Sequence, residues 1–396
     1  MSVFAAVMTG KGTGAISTIE VFGDSAEAVI KKIFKPTGGK TAIFKPSGIL
    51  LGVITGESGT IDQVTIGCEG HHSFTINCHG NPLIVEMIMR LLSKEGAKLI
   101  TTEELLAKTL TVQKFGKTIA IEAKLTQLKA KTIEGAKIIA NQIEGGLSKK
   151  AAEWLGNIEA ISLDEIKKDA ERILKVSRTA RFIIDGCTAV IIGPPNSGKS
   201  TLLNRLAGRE KAIVTEIKGT TRDWVSAECE IGGVMMKIID TAGIDEKFSG
   251  GGEGSIEKVA QEKSVNLLKE ADLVLLVLDN SQTIEQLDEK LIEKIGKKKI
   301  VTILNKIDLK GRLEAKKLAP VRKLSKSVKI SAKFGTGTEN LVKKIQKMIG
   351  VDTFDTQQPV CITGRQEELL KKLKKTKSKS EGATIITELL NGQLGV

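Results

Sequence analysis

Five stretches of the chain carry residues whose types and spacing can do chemistry. GPPNSGKS, residues 193–200, fits G-x-x-x-x-G-K-[ST] and stands between a strand-like CTAVIIG and a helical TLLNRLAG. Its glycines let backbone N–H groups wrap phosphates at a helix N-terminus, and the loop set runs through Asn196, Ser197, Gly198, Lys199, Ser200 and Thr201. Lys199 reaches the terminal phosphates, and the Ser200 hydroxyl suits Mg²⁺. NKID at 305–308 names the base: the Asp308 carboxylate accepts from the N1 and exocyclic amine hydrogens of guanine, Asn305 meets the opposite edge, and Lys306 lies between them. Adenine would set that carboxylate against an acceptor, and unpaired buried polar groups are what make such sites selective. SAK at 331–333 closes the base pocket through Ser331, Ala332 and Lys333. The ligand these residues call for is GTP, not ATP.

Two segments between these motifs are placed to sense the γ-phosphate. DTAG at 240–243 ends a strand, so Asp240 is expected to hold Mg²⁺ through water and the Gly243 amide to bond the γ-phosphate, with Thr241 and Ala242 in the same turn. GTTRD at 219–223 falls between the first helix and the second strand of this unit, where Thr221 coordinates Mg²⁺ only while the γ-phosphate is present. Four motifs in this order read as a GTPase domain.

Such residues need strand ends and helix starts to hold them. From 187 to about 350, the strands MMKIID, DLVLLVLD, KIVTILN and VKIS alternate with helical segments, the pattern of a parallel doubly wound sheet. Residues 1–115 read as α+β, with strand-like AISTIEVF and VTIGC and a helix-like LIVEMIMRLLSKEG at 83–96. Residues 116–185 turn helical without a proline, and 351–396 ends in the lysine-heavy helical stretch ELLKKLKKTKSKSEGATIITELL. The expected architecture is an α/β P-loop GTPase (Ras/Era-like) domain, 186–350, inserted in an α-helical domain, 116–185 and 351–396, and preceded by an α+β N-terminal domain, 1–115.

Composition narrows the partners. Sixty lysines and arginines against 47 aspartates and glutamates give a formal charge of +13, which attracts polyanions and favours nucleic acid over a membrane surface. A solvated lysine-rich face is the plainer reading of the same excess. Aromatic residues are 3% and tyrosine is absent, so RNA contacts should be to phosphate rather than stacked bases. No run approaches the roughly 18 apolar residues of a membrane span, and MSVFAAVMTGKG lacks a basic leader; a cytoplasmic chain is the expectation. Five scattered cysteines argue against a disulfide framework.

IIGPPNSGKSTLLNRLAGREKAIVTEIKGTTRDWV followed by DTAG resembles the MnmE (TrmE) family of tRNA-modification GTPases, within the wider Era-like class. The domain order is also that family's, while GTGAISTIEVFG and INCHGNP resemble its opening strand and its H-G-G turn. The resemblance implies GTP hydrolysis coupled to modification of the tRNA wobble uridine, in a homodimer that works beside a flavin-dependent partner protein. It also implies K⁺ at the interface of two G domains, held by Asn196 and, from VTEIKGTT, by Thr215, Ile217 and Thr220, in the charge-stabilising role of an arginine finger. Because Ile244 follows DTAG, the resemblance assigns catalysis to a glutamate in the helix beyond, Glu257, with Glu253 as the competing candidate. The alternative for Glu257 is an exposed helix-start glutamate favoured by the dipole.

This sequence also departs from the family. The family's formyl-tetrahydrofolate site uses an arginine in the opening strand, a glutamate before the H-G-G turn and a C-terminal lysine. Here Glu20 and Thr75 take the first two positions and GQLGV stands where C-I-G-K is expected, so 5-formyl-tetrahydrofolate should bind weakly by those contacts. A second function class therefore stays open, a GTP-regulated RNA-binding or assembly factor whose one-carbon site has decayed. Cys68, His71, His72, Cys78 and His79 form the only cluster with metal-ligand chemistry, but adjacent Cys78 and His79 point to opposite faces of a strand. A half-buried strand pair is expected there rather than a zinc site.

Overall fold

A computed structural model describes residues 2–394 except Lys11, Lys40, Ser58, His71 and residues 113–115, 209–224, 241–266, 284–297 and 314–326. The chain separates into two compact units, 1–121 with 392–396, and 122–391. In the first unit β1 (Val3–Val7), β2 (Ile16–Phe22), β3 (Phe34–Pro36), β4 (Ile49–Gly56), β5 (Gly59–Cys68), β6 (Ser73–His79) and β7 (Ala97–Leu99) form one sheet in the order β3-β4-β5-β6-β2-β1-β7. Every neighbouring pair is antiparallel except β1 with β7. Helices α1 (Ala26–Ile33), α2 (Pro82–Lys94) and α3 (Thr102–Val112) complete it. Asn81 starts α2 by accepting from the Leu83 amide, and Pro82 supplies a first residue that needs no N–H partner.

The period-2 pattern decides what β5 and β6 bury. Val64, Ile66, Cys68, Phe74, Ile76 and Cys78 all face the core, so both thiols pack as small apolar groups. His79 points the other way and its Nδ1 lies 2.7 Å from Asp62 Oδ1. The two strands pair with each other, as read from the sequence, and among the described residues no three metal-ligating side chains converge.

The second unit holds two kinds of structure. Helix α4 (Thr118–Gln127) crosses into it and is followed by α5 (Ile133–Glu144), α6 (Gly146–Gly156) and α7 (Leu163–Ile184). Then come β8 (Cys187–Ile192), α8 (Lys199–Ala207), β9 (Val225–Ile231), β10 (Val234–Asp240), β11 (Leu273–Asp279), β12 (Lys299–Asn305), β13 (Val328–Lys329) and α9 (Thr338–Ile349). Two further helices, α10 (Gly364–Leu373) and α11 (Lys379–Asn391), return to the helical part, where α10 packs on α7 and α11 packs on α6. The α/β segment is thus inserted between helices that pack on one another. Glu122, buried on α4, joins the two halves: Arg365 Nε and Nη2 donate to its two oxygens at 2.7 and 2.8 Å, and Thr363 and Gln366 donate as well.

The sheet of the inserted part runs β13-β12-β11-β8-β10-β9. Its central strands are buried on both faces, with Ala189, Ile191, Leu275 and Ile303 on one side and Val190, Ile192, Leu276 and Leu304 on the other. The expected parallel order holds for five strands, but β9 runs antiparallel to β10. The cause is local. Only Gly232 and Gly233 separate the two strands, both with left-handed φ (59° and 82°), and a two-residue hairpin of that kind forces antiparallel pairing.

Candidate functional site

The phosphate loop sits where β8 runs out and α8 begins. Gly193 has φ 151°, and a Cβ there would lie 2.0 Å from the Val277 carbonyl; Gly198 has φ 94°, and a Cβ there would lie 2.3 Å from Asn305 Nδ2. Neither position tolerates a side chain, because the loop packs its backbone directly against the ends of β11 and β12. Asn196, at the exposed apex, also has a left-handed backbone (φ 60°), which asparagine adopts more readily than most residues. Gly198 caps α8 without a side chain, so the cap residue itself supplies no acceptor to the first-turn amides. Lys199 Nζ donates to the carbonyls of Gly193 and Pro194 at 2.9 and 3.0 Å, so its ammonium lies across the loop. Ser197 Oγ is buried and has no hydrogen-bond partner among the described residues, a polar atom left over inside a phosphate-binding loop. Thr201 is exposed on the first turn of α8.

Parallel pairing of β10 with β8 brings the two candidate magnesium groups together. Ser200 Oγ donates to Asp240 Oδ2 at 2.6 Å, and Asp240 is buried at the end of β10. An all-oxygen pair of this kind fits Mg²⁺, whose charge, when bound, would neutralise adjoining phosphate oxygens.

The guanine pocket is built around Asn305 at the end of β12. Its side chain is buried, its Nδ2 donates to the Ser197 carbonyl at 2.9 Å, and its Oδ1 accepts from the Ala332 amide at 2.9 Å. Asn305 thereby braces the phosphate loop against the 331–333 loop, a contact the sequence reading did not give. Asp308 is exposed, with Oδ1 accepting from Ser331 Oγ at 2.5 Å, so its carboxylate is oriented before a base arrives. Lys306 has φ 62° and reaches back to Asp279 Oδ2 at 2.7 Å. Burial alone would raise the Asp279 carboxyl, but bonds from Lys306 and Ser281 outweigh it and hold the group below its ordinary value. Lys333 is exposed. Arg205 of α8 fixes the same loop, donating to the carbonyls of Ala332 and Lys333.

Sequence reasoning missed Asp279, Ser281 and Arg205. For Asp279 the signal was present, an acid ending the apolar run DLVLLVLD, as Asp240 ends MMKIID. Thr215, Ile217, Thr220, Thr221, Thr241, Ala242, Gly243, Glu253 and Glu257 lie outside the described residues.

In the first unit, Glu20 on β2 stands directly opposite Thr75 on β6, so the two departures from the folate pattern are cross-strand neighbours. Glu20 is buried, accepting from Ser73 Oγ at 3.2 Å and Thr109 Oγ1 at 3.3 Å. Burial pushes its carboxyl above the ordinary value, and the hydroxyl bonds recover only part of that shift. A buried acid held by two hydroxyls does not fit the cationic contact that the family's reduced-folate site takes from this position.

A family described as 50S ribosome-binding GTPase matches residues 188–306, and one described as GTP-binding protein TrmE N-terminus matches residues 3–106. The tRNA modification GTPase MnmE of Aquifex aeolicus (strain VF5) is 34% identical over 93% of this chain and 86% of its own length. That of Clostridioides difficile (strain 630) is 31% identical over 94% of this chain and 87% of its own. Among solved structures, the G domain of the T. maritima FeoB iron transporter is similar at 26% identity and a TM-score of 0.33, over 41% of this chain and 98% of that one.

Two outcomes are expected. Gly198→Ala must relax a left-handed backbone and displace Asn305, together about 2 kcal/mol or more. Guanine-nucleotide affinity, read by fluorescence titration, should fall at least tenfold; unchanged affinity would contradict the brace. For Glu20 the folded-state pKa lies above the unfolded value of about 4.5, so its contribution is intact below that value and is lost as pH rises through the folded one. Glu20→Gln, which stays neutral, should match the wild type in urea unfolding near pH 4 and exceed it increasingly as pH rises.

Proposed function

The chain belongs to the MnmE family of tRNA modification GTPases, and from that premise we propose that it couples GTP hydrolysis to modification of the tRNA wobble uridine, as a cytoplasmic homodimer beside a flavin-dependent partner protein. The observation that carries this reading is the joining, on one chain, of a braced guanine pocket with a TrmE-type N-terminal domain. The charge of +13 supports a tRNA partner. No helix among the described residues is long and apolar enough to cross a membrane. The division into domains 1–115, 116–185 with 351–396, and 186–350 is part of the reading.

The chain's own groups divide the work. Loop amides and Lys199 bind the phosphates, Ser200 and Thr221 would hold Mg²⁺ with Asp240 acting through water, and Asp308 selects guanine. Asn196, exposed at the loop apex, takes K⁺ with Thr215, Ile217 and Thr220 when two G domains meet, and Glu257 orients the attacking water, with Glu253 as its competitor. Since Glu20 and Thr75 do not reproduce the folate contacts, 5-formyl-tetrahydrofolate should bind weakly.

Deleting the protein should remove the wobble-uridine modification from cellular tRNA, measured by nucleoside mass spectrometry. Unchanged modification would leave instead a GTP-regulated RNA-binding or assembly factor. At equal ionic strength, hydrolysis should run faster in KCl than in NaCl, and Asn196→Ala should erase the difference; equal wild-type rates in both salts would remove the cation from the mechanism.

A further inference from the structure

Helix α7 shows two different sides. Ile173, Ser177 and Ala180 are buried in the helical part, while Glu171, Lys175 and Arg178, spaced four and three apart, share the outer face. Across from them, α10 and the turn after it bring Glu367, Lys371, Lys374 and Lys375. Together these residues line a cavity of about 730 Å³ whose apolar contribution is Leu174.

The charges in this groove are not balanced. Five cations and two carboxylates leave three positive charges. Both carboxylates are already engaged: Glu171 with Lys374 at 2.7 Å, and Glu367 with Lys371 at 2.7 Å and with Arg181. The bonds from Lys374 and Lys371 hold Glu171 and Glu367 below the ordinary carboxylate range. Lys175, Arg178 and Lys375 have no side-chain hydrogen bond or ion pair among the described residues, and all three are exposed. The carboxylates therefore hold two lysines in position, and the surplus falls on Lys175, Lys375 and Arg178, the last also within the field of Glu367.

We propose that this groove between α7 and α10 docks the sugar-phosphate backbone of tRNA. A protein partner would need apolar or aromatic anchors to fill a pocket of this size. The groove offers one leucine and no aromatic ring, whereas spaced cations without stacking groups match a phosphate backbone read by charge. The proposal rests on the reading that tRNA is the substrate, and it adds a surface that shares no residue with the nucleotide motifs.

The test uses the full-length chain and an unmodified tRNA transcript with a wobble uridine. In Lys175→Ala/Arg178→Ala/Lys375→Ala, affinity by fluorescence anisotropy should fall at least tenfold at about 0.1 M salt. The slope of log Kd against log salt should shrink by about 2 to 3, one phosphate contact per cation. GTP hydrolysis without tRNA should stay at the wild-type rate, which reports an intact fold. Lys343→Ala/Lys347→Ala, which removes two exposed cations from α9, is the control. An unchanged slope in the triple variant, or an equal loss in the control, overturns the groove while leaving tRNA as substrate. A wild-type chain that hydrolyses GTP but does not bind the transcript overturns both.

Discussion

The nucleotide site depends on one buried amide. Asn305 donates its Nδ2 to the Ser197 carbonyl and its Oδ1 accepts from the Ala332 amide, so the 193–200 loop and the 331–333 loop share one side chain. Losing it would strand a buried carbonyl and a buried N–H, about 1–3 kcal/mol each. The glycine at 198 follows from the same contact, since any side chain there would occupy the space of the amide. Arg205 ties α8 to the carbonyls of Ala332 and Lys333, so the helix whose start faces the phosphates is also fixed to the base pocket.

Much of this was legible in the sequence because local rules govern it. The G-x-x-x-x-G-K-S spacing demanded a strand, a tight loop and a helix start, and β8, 193–198 and α8 supply them. Continuous apolar runs required strands buried on both faces, and β8, β11 and β12 are such strands. The antiparallel edge was also written, in the glycine pair at 232 and 233, but a pattern of strands alternating with helices outweighed it. For Asn305 the motif named the residue, while its two loop contacts depend on the three-dimensional approach of 197 and 332, which no local spacing shows.

What stayed hidden was non-local. The Lys306–Asp279 pair joins two strand ends, and nothing near either residue names the other. Glu122 and Arg365 are farther apart still. A buried ion pair is a weak source of net stability and a strict requirement on geometry, because either charge alone would be costly. Arg365 also donates to the carbonyls of Glu388 and Leu389 near the end of α11, so one guanidinium aligns the start of α10, the end of α11 and the buried face of α4.

That arrangement sets a timetable for synthesis. The Glu122 clasp spans 243 residues, and at roughly 5–20 residues per second the ribosome needs on the order of 10 to 50 s to deliver Arg365 after Glu122 has emerged. Once residue 184 has emerged, α4 through α7 are present without the helices that cover them, while the entire nucleotide-binding segment is made and can close its own sheet. The helical part is therefore begun early and finished late, and until then its uncovered apolar faces are surfaces open to a nascent-chain chaperone.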